Sequence, residues 1–317
     1  MELAKIRFLE KGEEVVLPGW TKLLPKGWRR DWLEKHCPYR LEREGEILTG
    51  ILQTQREATM TANWRRGAAA LLEALEKEGA AIIVPPGEGE FPRERLPFAE
   101  GRRLATLFAF EGAAEALKRQ GKNPEECTYL LAGGDKDIWQ AALSSMGNEV
   151  NRLSIFTQEP EKAEEIVREL YLERGLVTEV FSSPKNPVFA EADAILSCGM
   201  EQRAYEHILK KGCFWLDLAG NRPILRRLMQ LRPDISAAEG FFFHVAEGKQ
   251  LEGRFAEGEA YLHCSDFRQS WEVPLEEVER EVLLFELKEM GYGVSGFSAF
   301  GKRVKIQKNQ GFSARKR

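Results

Sequence analysis

The chain is poor in the residues from which metal centres and disulfide frameworks are built. It carries four histidines and five cysteines in 317 residues. Cys37, Cys127, Cys198, Cys213 and Cys264 are scattered, odd in number and without CxxC spacing. That pattern excludes a zinc ribbon and a stapled secreted scaffold, and it predicts reduced thiols in a cytoplasm. No His/Cys/Asp group has metal-ligand spacing, so no metal is expected. No apolar run reaches the ~18 residues of a membrane-spanning helix. The segment MELAKIRFLEKGEE is charged from its second residue and has no apolar core of a signal peptide. A cytoplasmic protein without membrane association is the expectation.

What is present is the composition of a soluble globular protein, 43% hydrophobic and 30% charged. The length suffices for two ordinary domains. The net charge of −4 is unevenly spread. The window 302–317 contains Lys302, Arg303, Lys305, Lys308, Arg315, Lys316 and Arg317 and no acid, so the remainder stands at −11 (−4 minus 7). Such a tail suits nucleic acid or an acidic partner, or is a solvated end that aids solubility. A second basic segment, LPGWTKLLPKGWRRDW, holds three tryptophans and four Lys/Arg. Tryptophan with Lys/Arg suits a membrane surface or an acidic partner. The prolines and glycines break any long amphipathic helix, and the favoured expectation is a loop whose tryptophans fold back onto the core.

Residues 1–17 read as a strand or hairpin, with IRF and VVL flanking a KGEE turn. Residues 45–78 carry helical material, chiefly ATMTANWRRGAAALLEALEKEG, and AAIIVPP reads as a buried strand. RRLATLFAFEGAAEALKRQGKNPEE reads as one long bridging helix ending near Gly121. From Cys127 onward the alternation becomes regular. The strands TYLLAGG, NRLSIFT, VTEVFSS, ADAILSCG and CFWLDLAG are interleaved with helices, and ISAAEGFFFHVAEG supplies a sixth strand or a helix start. Strands alternating with helices of this length build a parallel sheet covered on both faces. PLEEVEREVLLFELKEMG then reads as an amphipathic helix, followed by VSGFSAFG and the basic tail. The expected architecture is a doubly wound α/β (Rossmann-like) sheet with an N-terminal α/β domain and a C-terminal helix. The expected boundaries are 1–120, 121–264 and 265–317.

The run LLAGGDKDIWQAAL places a glycine turn between the first of these strands and its helix. A dinucleotide-binding turn reads G-x-G-x-x-G, where glycines allow a tight turn and close approach to pyrophosphate. The best register, Ala132 to Asp137, keeps only Gly134 of the three glycine slots. Asp137 in the last slot would crowd the helix–strand contact. A carboxylate within ~5 Å of a phosphate costs roughly 1 to 3 kcal/mol, which Lys136 offsets in part. Two readings stay open: Asp135 caps the helix, or Gly133, Gly134, Asp135 and Lys136 hold a phosphate. At the end of the second strand, Thr157 and Gln158 occupy the ribose-binding place. Ser197 and Gly199 flank Cys198 at the expected cofactor edge, with Cys198 read as a buried, inert thiol.

The run GGDKDIWQAALSSMGNEVNRLSIFTQEPEKAEEIVREL resembles the cofactor domain of the shikimate and quinate dehydrogenase family. AEADAILSCG and CFWLDLAGNRPILRRL are similar to that family's fourth and fifth strands, with Asp217 at its usual Asp position. AAEGFFFHVAEG and LFAFEGAAEALKRQG are similar to the segments that join its two domains. The likeness covers roughly residues 105–250. It implies a Rossmann fold, NAD or NADP as cofactor, and oxidation or reduction of a small molecule. The sequence departs from the family at the chemistry. Leu107, Phe108 and Ala109 stand where the family has Asn-Thr-Asp, and no Asn-Val-Thr-x-Pro-x-Lys occurs in the first 120 residues. The Lys–Asp pair that moves a hydroxyl proton is therefore missing. Glu111 and His244 are the remaining candidates for catalysis. The function expected is a divergent NAD(P)-binding oxidoreductase-like protein with a small-molecule substrate in an interdomain cleft. The alternative is a non-catalytic binding or scaffold protein. Oligomeric state stays open.

Overall fold

A computed structural model of the chain describes residues 2–9, 13, 19–45, 47–53, 62–86, 91, 96–134, 136–144, 146, 150–183, 187–200, 205–271 and 280–307. The chain divides into two compact units. The first comprises Met1–Glu100 and Glu257–Arg268, the second Gly101–Ala256 and Gln269–Arg317.

The first unit opens with β1 (Glu2–Phe8), α1 (Lys26–His36), β2 (Tyr39–Glu44), β3 (Ile47–Leu52), α2 (Ala62–Lys77) and β4 (Ala80–Val84). Its sheet has the order β2-β3-β1-β4. β1 pairs in parallel with both β3 and β4, so it is a central strand rather than one arm of a hairpin. The VVL half of the expected hairpin lies outside the described residues. The hairpin that exists joins β2 to β3 across Gly45 (φ 65), in a stretch whose second half was expected to be helical. The helical composition that suggested otherwise begins later, in α2. There Trp64, Ala68, Leu71, Leu72 and Leu75 pack with Ala4, Ile6, Leu48, Leu52 and Ile83 of the sheet.

The segment expected to be a loop contains α1, and two of its three tryptophans do not fold back as expected, while Trp32 is half-buried. Trp20 is 54% and Trp28 69% exposed. The short 3₁₀ turn Gly19–Leu23 and α1 are anchored instead through Thr21 and Leu33, which are buried.

The second unit begins with α3 (Arg102–Leu107) and α4 (Ala109–Arg119), so the expected single bridging helix is broken at Phe108. Phe108 has φ −101 and ψ 16, and its ring is buried edge-on against Phe243 at 5.2 Å. The break coincides with the burial of this ring, in a stretch where Thr106, Phe108, Phe110 and Gly112 are weaker helix formers than the Ala, Leu, Arg and Glu around them. Then follow β5 (Tyr129–Ala132), α5 (Lys136–Ser144), β6 (Leu153–Phe156), α6 (Pro160–Arg174), β7 (Thr178–Phe181), α7 (Val188–Glu191), β8 (Ala194–Ser197), β9 (Phe214–Asp217), α8 (Arg222–Leu231) and β10 (Ser236–Ala238). Proline in the first turn helps to start α6 and α8, Asn221 caps α8, and Gly175 (φ 66) ends α6.

These six strands form one all-parallel sheet in the order β10-β9-β8-β5-β6-β7. Numbered within the sheet this is 3-2-1-4-5-6, the doubly wound Rossmann order. β5, β6, β8 and β9 are buried along their whole length, as parallel strands covered on both faces are. α4 packs against β8 and β9, α6 against β7, and α8 against β10.

The chain continues through β11 (Gly240–His244), β12 (Gln250–Glu252), α9 (Gly253–His263), α10 (Ser265–Gln269), α11 (Arg280–Glu289), β13 (Gly293–Ala299) and β14 (Lys302–Val304). Here the structure adds what the sequence reading lacked. Only Ser236–Ala238 of the ISAAEGFFFH run joins the parallel sheet. GFFFH is β11 of a separate antiparallel sheet ordered β12-β11-β13-β14. The Gly/Ser-rich VSGFSA is a buried strand of it. The first residues of the basic tail are its edge strand, reached through a two-residue turn with Phe300 (φ 53) and Gly301 (φ 70). Phe214 of one sheet meets Phe297 of the other at 5.4 Å. Residues 308–317 of the tail lie outside the described residues.

Candidate functional site

In a doubly wound sheet the strand order reverses at one place, and ligands bind there, beyond the carboxyl ends of the strands. In this chain the reversal lies between β5 and β8. Each of these strands runs into a glycine: Gly133 (φ 135) after β5, and Gly199 (φ 89) two residues after β8. The two strand ends close on each other. The Cys198 N–H donates to the Ala132 carbonyl at 2.6 Å, and the Gly133 N–H donates to Phe156 O at 3.0 Å. A Cβ on Gly133 would lie 2.4 Å from the Cys198 carbonyl oxygen. Gly133 is therefore required by the contact between two backbones. Gly134 is different. It is exposed, and among the described residues a Cβ there would meet nothing within 4 Å. One glycine shapes the turn and the next leaves its outer side open, at the point where α5 begins.

The other sequence-derived candidates divide between this seam and places away from it. Ser197 is buried and lies in register with Ala132 on one side and Asp217 on the other. Cys198 is fully buried, as expected, with its thiol 3.7 Å from the Leu196 carbonyl. Thr157 and Gln158 follow β6, the neighbouring strand. Thr157 is buried, and its hydroxyl oxygen accepts from the Glu159 N–H at 3.0 Å, which shapes the entry to α6. Gln158 is exposed, with its amide 3.4 Å from the Ser182 carbonyl. Asp135 lies outside the described residues. Lys136 and Asp137 belong to the first turn of α5. Glu111 sits in the first turn of α4 and forms an ion pair with Lys288 at 2.8 Å. His244 is exposed at the end of β11, on the antiparallel sheet, opposite Gln250 and Gly293. Leu107, Phe108 and Ala109 are all buried apolar residues, so core packing occupies the place of the family's polar triplet.

Asp217 was not among the expected site residues. It ends β9, one strand over from the seam, and is 2% exposed. Among the described residues neither carboxylate oxygen makes a hydrogen bond of ordinary geometry, although the backbone N–H groups of Gly220 and Asn221 lie near enough to act on its charge. Burial, and then the nearby charge of Glu239, push its pKa up to about 6. The Arg102 guanidinium and the backbone N–H groups of Asn221 and Gly220 pull only part of the way back. Arg102 itself lies over Gly220, where a Cβ would stand 2.3 Å from its Nη2. Glu239 is held by Arg222 (3.1 and 3.3 Å) and accepts from the Phe300 N–H at 2.7 Å. A carboxyl group that titrates near neutral pH at this edge of the sheet is suited to proton transfer. The signals available in the sequence were an Asp closing the apolar run CFWLD, which also reads as an ordinary strand end, and its match to the resembled family's usual Asp position. Among the described residues no group of acids, histidines and cysteines is arranged to hold a metal ion.

No family model matches the chain, and no curated relative does. Solved structures align at low similarity. L-tryptophan dehydrogenase from Nostoc punctiforme is 12% identical over 92% of this chain and 83% of its own, with a TM-score of 0.39. Quinate dehydrogenase from Corynebacterium glutamicum, solved in complex with NAD, is 12% identical over 90% of this chain and 99% of its own, with a TM-score of 0.34. The iminosuccinate reductase of Paracoccus denitrificans, solved with NAD+, is 18% identical over 37% of this chain, with a TM-score of 0.28. The chain spans only 35% of that reductase's length. A putative aspartate carbamoyltransferase from Trypanosoma cruzi aligns over 74% of this chain at 0.34. Likeness of this size carries no argument about activity, and the fold assignment rests on the strand order itself.

Proposed function

We propose that this chain binds a nicotinamide dinucleotide at the β5–β8 reversal and acts as an oxidoreductase-like protein on a small molecule. The observation that carries the reading is the 3-2-1-4-5-6 strand order with a glycine turn at its reversal point. The residues fit such a group at the phosphate turn. Gly134 leaves open space there, and the N-terminus of α5 offers backbone N–H groups. Gln158, exposed just after β6, is the residue this reading assigns to the ribose edge. When bound, the dinucleotide supplies or accepts a hydride. The protein's own share is to orient that group and to manage a proton, and Asp217 is the group suited to the second task. Proton transfer by a Lys–Asp pair, as the shikimate and quinate dehydrogenases perform it, is left out of the proposal, because buried apolar Leu107, Phe108 and Ala109 stand at the place of that family's polar triplet, and Glu111, two residues on, is paired with Lys288.

Thermal shift with NAD, NADH, NADP and NADPH tests the reading. A ligand at 100 times its dissociation constant stabilises the folded state by about 2.7 kcal/mol, so binding raises the unfolding midpoint measurably. No shift with any of the four at millimolar concentration would sink the proposal.

A further inference from the structure

The sequence segment Gly19–His36 contains Lys22, Lys26, Arg29, Arg30 and Lys35 against Asp31 and Glu34. Its net charge is +3 (5 minus 2), while the rest of the chain stands at −7 (−4 minus 3). The same segment exposes its largest apolar side chains: Trp20 at 54%, Leu23 at 88% and Trp28 at 69%. In a 3₁₀ turn residues i and i+3 eclipse, so Trp20 and Leu23 leave the Gly19–Leu23 turn on one side. Trp28 and Trp32 are four apart in α1 and share a face. The Trp32 ring meets Trp20 edge-on at 5.1 Å and stacks on His36 at 5.0 Å. The exposed groups are thus parts of one aromatic surface. It is held in place from behind by buried Thr21 and Leu33, and by Arg29, which donates to the Leu24 carbonyl at 3.2 Å.

We propose that this surface docks on an anionic lipid bilayer. Trp20, Leu23 and Trp28 enter the headgroup region, and the excess positive charge of the segment is matched by the lipid phosphates. The composition favours lipid over other occupants. Tryptophan has an apolar body and one N–H, which suits the boundary between headgroups and acyl chains. Lysine, depleted at protein–protein interfaces, occurs three times here. A single-stranded nucleic acid needs rings to stack on, and Leu23, the most exposed apolar residue of the three, offers none. Anionic lipid attracts basic segments at close range, and interfacial apolar groups then hold them.

Co-sedimentation of the full chain with phosphatidylcholine vesicles, with and without phosphatidylglycerol, tests this. The expected result is pelleting with the anionic vesicles only, weakening as ionic strength rises. Leu23→Ser and Trp28→Ser should each weaken partitioning about tenfold, the worth of one large apolar side chain leaving water. Both positions are exposed, so the unfolding midpoints should match that of the parent chain. The double variant Lys26→Glu/Arg30→Glu should abolish pelleting. Failure to pellet with anionic vesicles overturns the proposal. So does pelleting that neither apolar variant weakens, which would assign the affinity to the basic tail. Binding of a single-stranded oligonucleotide that Trp28→Ser removes, with vesicles left unbound, would make the surface a nucleic-acid site. A dimer in sedimentation velocity that Leu23→Ser dissolves, again without vesicle binding, would make it a contact between two copies.

Discussion

Replacing Gly133 by alanine should destabilise the second unit severely, and the structure allows the size to be worked out. At φ 135 the residue sits where an L side chain is strained whatever the surrounding space. Such a conformation costs a non-glycine residue about 1–3 kcal/mol. The new Cβ would also stand 2.4 Å from the Cys198 carbonyl oxygen and 2.6 Å from its carbon. Those atoms are backbone at the end of β8 and cannot swing aside as a side chain can. Overpacking against well-fixed atoms costs about 1–3 kcal/mol more. Together the change removes about 2–6 kcal/mol, a large share of the 5–15 kcal/mol that keeps an ordinary domain folded. The assay is urea unfolding followed by far-UV circular dichroism. Because the chain has two units, the curve should be fitted for more than one transition. Gly134→Ala is the paired control. Among the described residues nothing lies within 4 Å of a Cβ added there, so its effect should stay within about 0.5–1 kcal/mol in either direction. A Gly133→Ala transition within 0.5 kcal/mol of the parent, itself a small fraction of the expected loss, would mean that β5 and β8 do not close on each other as described.

Three further outcomes follow from other parts of the unit. Asp193 is clasped by Lys122 and Lys210, both at 2.8 Å, and by the Thr128 N–H at 3.3 Å. Burial pushes its pKa up, but these partners outweigh it and hold the carboxyl below its ordinary value. A depressed carboxylate contributes stability above its unfolded pKa of about 3.9 that is lost as pH falls through the folded value. Asp193→Asn should therefore cost about 2–4 kcal/mol at neutral pH and flatten the acid limb of a stability–pH curve. An unchanged limb would remove Asp193 from that role. Asp217 has the opposite sign. Its folded pKa of about 6 exceeds the unfolded one, so its contribution is complete at low pH and is lost as pH rises through about 6. Asp217→Asn should raise the unfolding free energy at pH above about 7 by an amount on the order of 2 kcal/mol, and carbon-13 NMR should show one carboxyl titrating near 6. A mutant less stable than the parent at high pH would contradict the account of its burial. Gly112→Ala places a Cβ 2.2 Å from the Phe241 ring, and calorimetry should record a loss of about 1–3 kcal/mol.

The parallel sheet was legible because four of its six strands, YLLA, LSIF, AILS and FWLD, are short, mainly apolar runs separated by helical spacing. Burial on both faces produces that signal directly. The β2–β3 hairpin was hidden because its outer residues are charged and its neighbour α2 dominates the local composition. The antiparallel sheet was hidden because the β11 run continues from β10 without a break except Glu239, and because glycine and serine in β13 mimic a loop. At the site, the glycine turn was legible as a pattern, but the different duties of Gly133 and Gly134 were not. One depends on a carbonyl some 65 residues away, at Cys198. The state of Asp217 likewise comes from Glu239, Arg102 and burial, none of which is local in sequence. The exposure of Trp20 and Trp28 shows the limit of composition, since the same residues fit a core or a surface.

The claim at the centre of the account is that a dinucleotide lies against the turn after β5. Calorimetric titration of the parent chain and Gly134→Asp with the preferred dinucleotide, side by side, tests it. The position is open, so the substitution should leave the unfolding midpoint close to the parent's while setting a carboxylate against the pyrophosphate. The account predicts saturable binding to the parent and a loss of about tenfold or more in the variant, the equivalent of roughly 1–3 kcal/mol. Equal binding by a folded Gly134→Asp protein would place the ligand elsewhere and contradict it.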